Sequence, residues 1–171
     1  MLFSDLLKFE VEYGHRIPLE DLEQFNLKVP QDVLEQFYSD HGSKYEFQDQ
    51  YGHLDISSLK WVCKQLPASE LISASIYSRF EDRVISVSNW VKNFEGESWN
   101  SIDTRKNVIE HWTKHKTWLR IPIFLDGNLL DKQKKIHLVE GHTRLGALRG
   151  LVKMSILPKN SLHKIWYGYY G

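Results

Sequence analysis

Cysteine is nearly absent: Cys63 is the single one in 171 residues, which excludes an internal disulfide and leaves no cysteine spacing for a metal site. It sits among apolar neighbours in WVCKQL, so a buried structural thiol is expected. Long apolar runs are missing as well, none approaching the about 18 residues of a membrane span. The opening MLFSDLLKFEVE carries acids where a secretory leader carries cations. A cytoplasmic chain with no membrane partner is therefore expected. Repeats and low-complexity tracts are also lacking.

Net charge is zero, with 22 Lys and Arg against 22 Asp and Glu, but the balance is uneven along the chain. Residues 1–60 hold five cations against twelve acids, and residues 61–171 hold seventeen against ten. A basic part of this kind suits phosphate, on a nucleotide or a nucleic acid, and the acidic part can cover it within the same molecule; two solvated faces explain the charges equally well. At 42% hydrophobic and 26% charged the chain has ordinary globular composition, with length for one domain plus an appended segment. Six Trp, eight Tyr and eight Phe are expected to serve mainly as core packing.

Periodicity divides the chain near residue 58. A short helix over 5–13 opens behind Ser4 and stops at Gly14. PLEDLEQFNL places Leu19, Leu22 and Phe25 on one face behind Pro18, and PQDVLEQFYSDHG turns Val33, Leu34, Phe37 and Tyr38 inward between Pro30 and Gly42. Residues 43–58 lack a period and are expected to be a connection. LKWVCKQLP then reads as a strand, ASEL as a helix start, and residues 79–96 and 101–118 as amphipathic helices, the second capped by Ser101. RIPIFL, the turn DGN and KKIHLVE make a β-hairpin, TRLGALRG a two-turn helix, LVKMSILP a further strand, and LHKIWYGYY a last strand or tail. The expected fold class is α+β: a small mixed sheet with flanking helices over 59–171, preceded by an acidic helical segment over 1–58.

The chemistry concentrates in IHLVEGHTRLGALRG, residues 136–150. A strand runs into Gly141 and turns at once into a helix with His142, Thr143 and Arg144 in its first turn. Such an N-terminus offers unpaired N–H groups and partial positive charge, and the glycine admits a ligand close to the backbone. Arg144 adds a forked donor suited to phosphate oxygens. Glu140 is placed to hold a divalent cation or accept a proton, and His142 to bind phosphate or act as acid or base. A plain strand-to-helix connection, with Arg144 paired to Glu140, accounts for the same residues.

The run from Pro122 to Pro158 resembles the ParB/sulfiredoxin-like superfamily. The likeness rests on the strand Pro122-Ile123-Phe124-Leu125, the stretch Glu140-Gly141-His142-Thr143-Arg144, the small-residue helix Leu145 to Arg149, Gly150, and the segment Met154 to Pro158. LKWVCKQLPASEL is similar to the family's first strand and turn. The resemblance implies a nucleotide-phosphate site, with ATP, ADP or CTP as ligand and magnesium as its companion. Gly141 and the backbone of His142 and Thr143 would cradle phosphate, Arg144 would contact it, Glu140 would bind magnesium or act as base, and His142 would orient or protonate the transferred group. Arg120 and Arg149 are further candidates for the pocket. The implied function is nucleotide binding, with phosphotransfer or nucleotide hydrolysis as the reaction. Departures from the family narrow it: where partitioning proteins carry Gly-Glu-Arg-Arg this chain has Gly-His-Thr-Arg, and Cys63 is far from the position of the sulfiredoxin cysteine. The form acid-Gly-His-x-Arg is closest to the serine-kinase and uncharacterised branches.

The alternative is a non-catalytic module on the same fold that binds nucleic acid or protein through its basic C-terminal part. Arg105, Lys106, Lys114, Lys116 and Arg120, interleaved with Trp112 and Trp118, are its candidate surface. His111 and His115, four apart on a helix, have metal-ligand spacing but no third ligand in sight.

Overall fold

The computed structural model of the chain describes residues 1–9, 16–92, 99, 101–130 and 133–171. After a 3-10 helix at Phe3–Lys8 come α1 (Leu19–Glu23), α2 (Gln31–Val33, widening into a π-helix over Leu34–Ser39) and α3 (Tyr45–Tyr51). Then follow β1 (Leu59–Pro67), α4 (Ala68–Leu71), β2 (Ser75–Ile76), α5 (Ser78–Trp90) and α6 (Lys106–His115). The chain closes with β3 (Ile123–Asp126), a 3-10 turn at Gly127–Leu130, β4 (Ile136–Glu140), α7 (His142–Lys153) and β5 (Leu162–Tyr170). Among the described residues no helix is long and apolar enough to cross a membrane.

The strands form one mixed five-stranded sheet in the order β1-β5-β3-β4-β2. β1 and β5 are antiparallel over their full length, from Leu59 opposite Tyr170 to Pro67 opposite Leu162. β3 runs parallel to β5 and antiparallel to β4, and β2 adds parallel to β4. Because side chains alternate across a strand, β3 serves both faces. Phe124 joins one core with Val84, Val87, Leu145 and Leu148 of α5 and α7. Ile123 and Leu125 join another with Phe3, Leu22, Phe37 and Tyr51 of the N-terminal helices. Ile136, His137, Leu138 and Val139 of β4 are all buried, the pattern of a strand covered on both sides. Helices on both faces of a mixed sheet agree with the α+β expectation, and the acidic N-terminal segment supplies one of the two covering layers.

α7 lies close against α5 because two of its residues lack side chains. A Cβ on Gly146 would stand 2.7 Å from Val87 Cβ and 2.9 Å from the Val84 carbonyl oxygen, and one on Gly150 would stand 2.6 Å from the Ser88 carbonyl oxygen. Two buried polar residues are fully partnered in the core. His137 meets the Tyr51 hydroxyl and the Ser75 hydroxyl, each at 2.9 Å. His163 meets those of Thr117 and Ser161, each at 2.9 Å.

Several expectations are corrected. Residues 43–58 are not simply a connection: α3 forms there because Phe47 and Tyr51, four apart, both reach the core. The helix expected from Ser101 starts at Lys106, since Asp103 accepts the Arg105 N–H at 3.0 Å and holds the preceding turn. It also stops at His115, where Lys116 turns left-handed. LVKMSILP is not a strand: Leu151 and Val152 continue the buried helical spacing of Leu145 and Leu148, so α7 runs on to Lys153. Cys63 is exposed, because it lies on β1 at the sheet edge. Phe25 is exposed as well. The later part of the helix expected over 5–13, with its stop at Gly14, and the helix end at Phe94 and Gly96 fall outside the described residues.

Candidate functional site

β4 delivers Glu140 to the edge of the core, opposite Ile123, where the β3–β4 register shifts by a bulge between Ile123 and Phe124. Gly141 then takes φ 111, ψ 28, a left-handed conformation that only glycine adopts readily, and α7 begins at His142. A Cβ there would also meet Pro122 Cβ at 2.6 Å. No side chain caps this N-terminus, and the first amide bonded back within the turn is that of Leu145, to Gly141 at 2.8 Å. The amides of His142, Thr143 and Arg144 thus begin a helix of twelve residues with its positive dipole end exposed to whatever lies before it.

What lies before it is a cavity of about 910 Å³. Its wall includes Glu140, Gly141, His142, Thr143 and Arg144, and also five arginines in all, Arg16, Arg83, Arg105, Arg120 and Arg144. Phe80, Ile102, Val108 and Leu119 contribute an apolar side. Four of the arginines face carboxylates. Arg16 Nε lies 2.8 Å from Asp40, Arg105 pairs with Asp103, and Arg120 pairs with both Asp32 and Glu35. Arg83 has no carboxylate partner among the described residues; its guanidinium carbon stands 5.5 Å from the Trp90 ring centroid.

Arg144 is the most constrained of the set. It donates to Glu140 Oε1 at 2.9 Å, to Gln36 Oε1 at 2.9 Å and to the Arg120 carbonyl at 2.8 Å. Burial works to lower its pKa, Glu140 opposes that, and the charges of Arg120 and Arg105 press in the same direction as burial. Glu140 collects nitrogen partners: besides Arg144, its Oε2 lies 3.5 Å from His41 Nε2 and 3.7 Å from His142 Nδ1. Burial alone would raise the Glu140 pKa, but the imidazoles of His142 and His41 and the charge of Arg144 outweigh it and hold the carboxyl well below its ordinary value. His41 is fixed in turn by stacking flat on Phe47, centroids 3.9 Å apart with an interplanar angle of 1°.

His142 differs from its neighbours. Its side chain is only 10% exposed, its ring packs 4.3 Å from that of Phe80, and its Nε2 is buried without a hydrogen-bond partner among the described residues. A buried polar atom left unpaired costs about 1–3 kcal/mol, and Asp40 Oδ1 in the same wall shares that condition.

Of the residues singled out in the sequence, Glu140, Gly141, His142, Thr143, Arg144 and Arg120 line one cavity. Arg149 lies elsewhere: it donates to the carbonyls of Ile72 at 3.0 Å and Ala74 at 3.1 Å and ties α7 to the loop after α4. Glu140, the residue expected to hold magnesium, has Oε1 bonded to Arg144 and Oε2 3.5 and 3.7 Å from the nitrogens of two imidazoles. Among the described residues no group of three or more His, Cys, Asp or Glu is placed to hold a metal ion, His111 and His115 included. Trp112 and Trp118 belong to the core and present no stacking face to a nucleic acid. Sequence reasoning missed Arg16, Gln36, His41 and Arg83, which come to the site from the N-terminal helices and α5. The one sequence signal for them was the opposed charge of the two parts of the chain. Compared with protein-family models, with curated proteins and with solved structures, the chain shows no significant match.

Proposed function

We propose that this chain is a nucleotide-binding protein of the ParB/sulfiredoxin-like kind, holding phosphate at the start of α7. One observation carries the reading: the uncapped N-terminus of a twelve-residue helix, with the unpartnered Nε2 of His142 beside it, opens on a cavity lined by five arginines. Amide N–H groups, a helix dipole and guanidinium forks are together the chemistry that recognises phosphate oxygens. The apolar side formed by Phe80, Ile102, Val108 and Leu119 suits a nucleoside, and the cavity volume is within the usual range for small-ligand sites.

For the reaction, the Glu140–His142 arrangement suits proton movement. The carboxylate lies behind Nδ1 and leaves Nε2 for a substrate. In phosphotransfer or hydrolysis, a hydroxyl or water oxygen attacks the terminal phosphorus, a new P–O bond forms as the anhydride bond breaks, and the attacking group's proton passes to His142 Nε2. The arginines would stabilise charge on the transferred phosphoryl. Magnesium accompanying the nucleotide would be held by Glu140 and would offset charge on the phosphates.

The test is calorimetry of the full chain with ATP, ADP and CTP, with and without magnesium. Binding is expected with at least one of the three, and it is expected to be lost in Gly141→Ala, whose Cβ would strain the left-handed turn and push Pro122. Absence of heat at millimolar nucleotide would overturn the proposal.

A further inference from the structure

Building on that anion reading, we propose that the ligand's charge is held by arginines outside the acid-Gly-His-x-Arg stretch. Arg16, Arg105 and Arg120 exchange an internal carboxylate for the anion, Arg83 has none to give up among the described residues, and Arg144 stays in the wall as a structural post.

The division follows from what each guanidinium would lose. Arg144 is 17% exposed and bonds Glu140, Gln36 and the Arg120 carbonyl. Turning it toward a ligand would strand a carboxylate, an amide oxygen and a backbone carbonyl at once. Arg16 and Arg105 are each 72% exposed, and Arg120 is also exposed to solvent. Where both partners are exposed, as Arg120 with Asp32 and Glu35, an ion pair is worth about 0–1 kcal/mol and the carboxylates compete weakly. Asp40 and Asp103, 20% and 11% exposed, hold Arg16 and Arg105 more firmly, Asp103 through both of its oxygens. A phosphate group, with several oxygens able to bridge two guanidinium forks in a concave site, is the stronger partner. The five arginines of the lining are matched by Asp40, Asp103 and Glu140 beside them and by Asp32 and Glu35 on Arg120, so an incoming anion displaces acids from them. Independently of the arginines, the nine-tenths-buried His142 in the same wall has an Nε2 with no hydrogen-bond partner among the described residues.

This arrangement gives the acidic N-terminal helices a definite part. Asp32 of α2 and Glu35 of the π-helix that continues it are the counterions that a ligand displaces from Arg120, and Asp40 is the counterion it displaces from Arg16. Removing a competing carboxylate should therefore strengthen binding, the opposite of what removing a positively charged ligand residue does.

The experiment is calorimetry of ATP, and of inorganic tripolyphosphate as its competitor, on the full chain and on Arg83→Gln, Arg105→Gln and Glu35→Gln, with melting temperatures measured alongside. Arg83→Gln and Arg105→Gln are expected to weaken ATP by about 10-fold each, the scale of one charge-assisted hydrogen bond. Glu35→Gln is expected to tighten it by about 3-fold, the scale of a lost exposed ion pair. Tripolyphosphate is expected to compete. Unchanged or weaker ATP binding in Glu35→Gln, unchanged binding in both arginine variants, or failure of tripolyphosphate to compete overturns the assignment while leaving nucleotide binding intact. If neither anion binds the unsubstituted chain, both readings fall. A single-stranded oligonucleotide that binds more tightly than ATP overturns the small-ligand assignment in favour of a nucleic acid.

Discussion

Replacing Arg144 by methionine tests whether it is a post or a ligand arm. The substitution keeps most of the apolar stem and removes three donated hydrogen bonds, to Glu140, Gln36 and the Arg120 carbonyl. Breaking a buried ion pair from one side costs about 3–5 kcal/mol. Glu140 is 24% exposed and keeps His41 and His142 nearby, so about 2–3 kcal/mol is expected. For a chain of this size that is a drop of about 4–12 °C in melting temperature. Glu140→Gln leaves Arg144 with two neutral acceptors and should cost about 1–2 kcal/mol. Combining the two removes the stranded charge as well as its partner, so the double variant should be more stable than additivity predicts by about 1–2 kcal/mol. Urea denaturation of the four proteins at pH 7 measures the cycle. Additive effects, or an Arg144→Met protein within about 0.5 kcal/mol of the unsubstituted chain, would refute the structural assignment of Arg144 and return it to the ligand.

Gly146→Ala should destabilise the α5–α7 contact by up to about 2 kcal/mol, overpacking of about 1–3 set against the about 1 that alanine gains in a helix; a urea midpoint above that of the unsubstituted chain would contradict the packing. His163 is buried, and burial pushes its pKa from 6.5 to about 4. The unfolded chain therefore binds a proton near pH 6.5 that the native state refuses. The contribution of this neutral histidine is fully present above pH 6.5, declines between 6.5 and 4, and stays lost below. At 1.36 kcal/mol per pH unit the loss is at most about 3 kcal/mol, reduced by partial solvent screening to about 2. Denaturation curves at pH 7 and 4.5 should show the decline, and His163→Gln should flatten it; equal slopes in the two proteins would refute the account.

Local rules made much of the fold legible. Proline and glycine bracketed α2, and β1, β3, β4 and β5 follow from short apolar or alternating runs that nothing else explains. They misled where tertiary burial sets the element. Phe47 and Tyr51 make α3 out of a polar stretch because both find the aromatic core around Phe37. Leu151 and Val152 remain helical because α5 offers them a surface, whatever the strand preference of the residues that follow. Cys63 is exposed for the complementary reason: β1 is the end strand of the sheet, and local hydrophobicity says nothing of where a strand stands in its sheet.

The site divides along the same line. Glu140-Gly141-His142-Thr143-Arg144 was readable as a strand-to-helix turn from the glycine and its neighbours alone, since the left-handed turn and the helix start are local properties. The sequence also determined that an acidic front and a basic back must coexist in one chain. Only the tertiary structure decided what those charges do. Packing the N-terminal helices on the sheet face of Ile123 and Leu125 brings Gln36, His41, Asp32 and Glu35 against Arg144, Glu140 and Arg120. Arg144 is thereby locked into the wall, and Arg16 and Arg83 come to the cavity from distant segments. Charge partnership depends on distance in space and on exclusion of water, and neither is written in the order of residues along the chain.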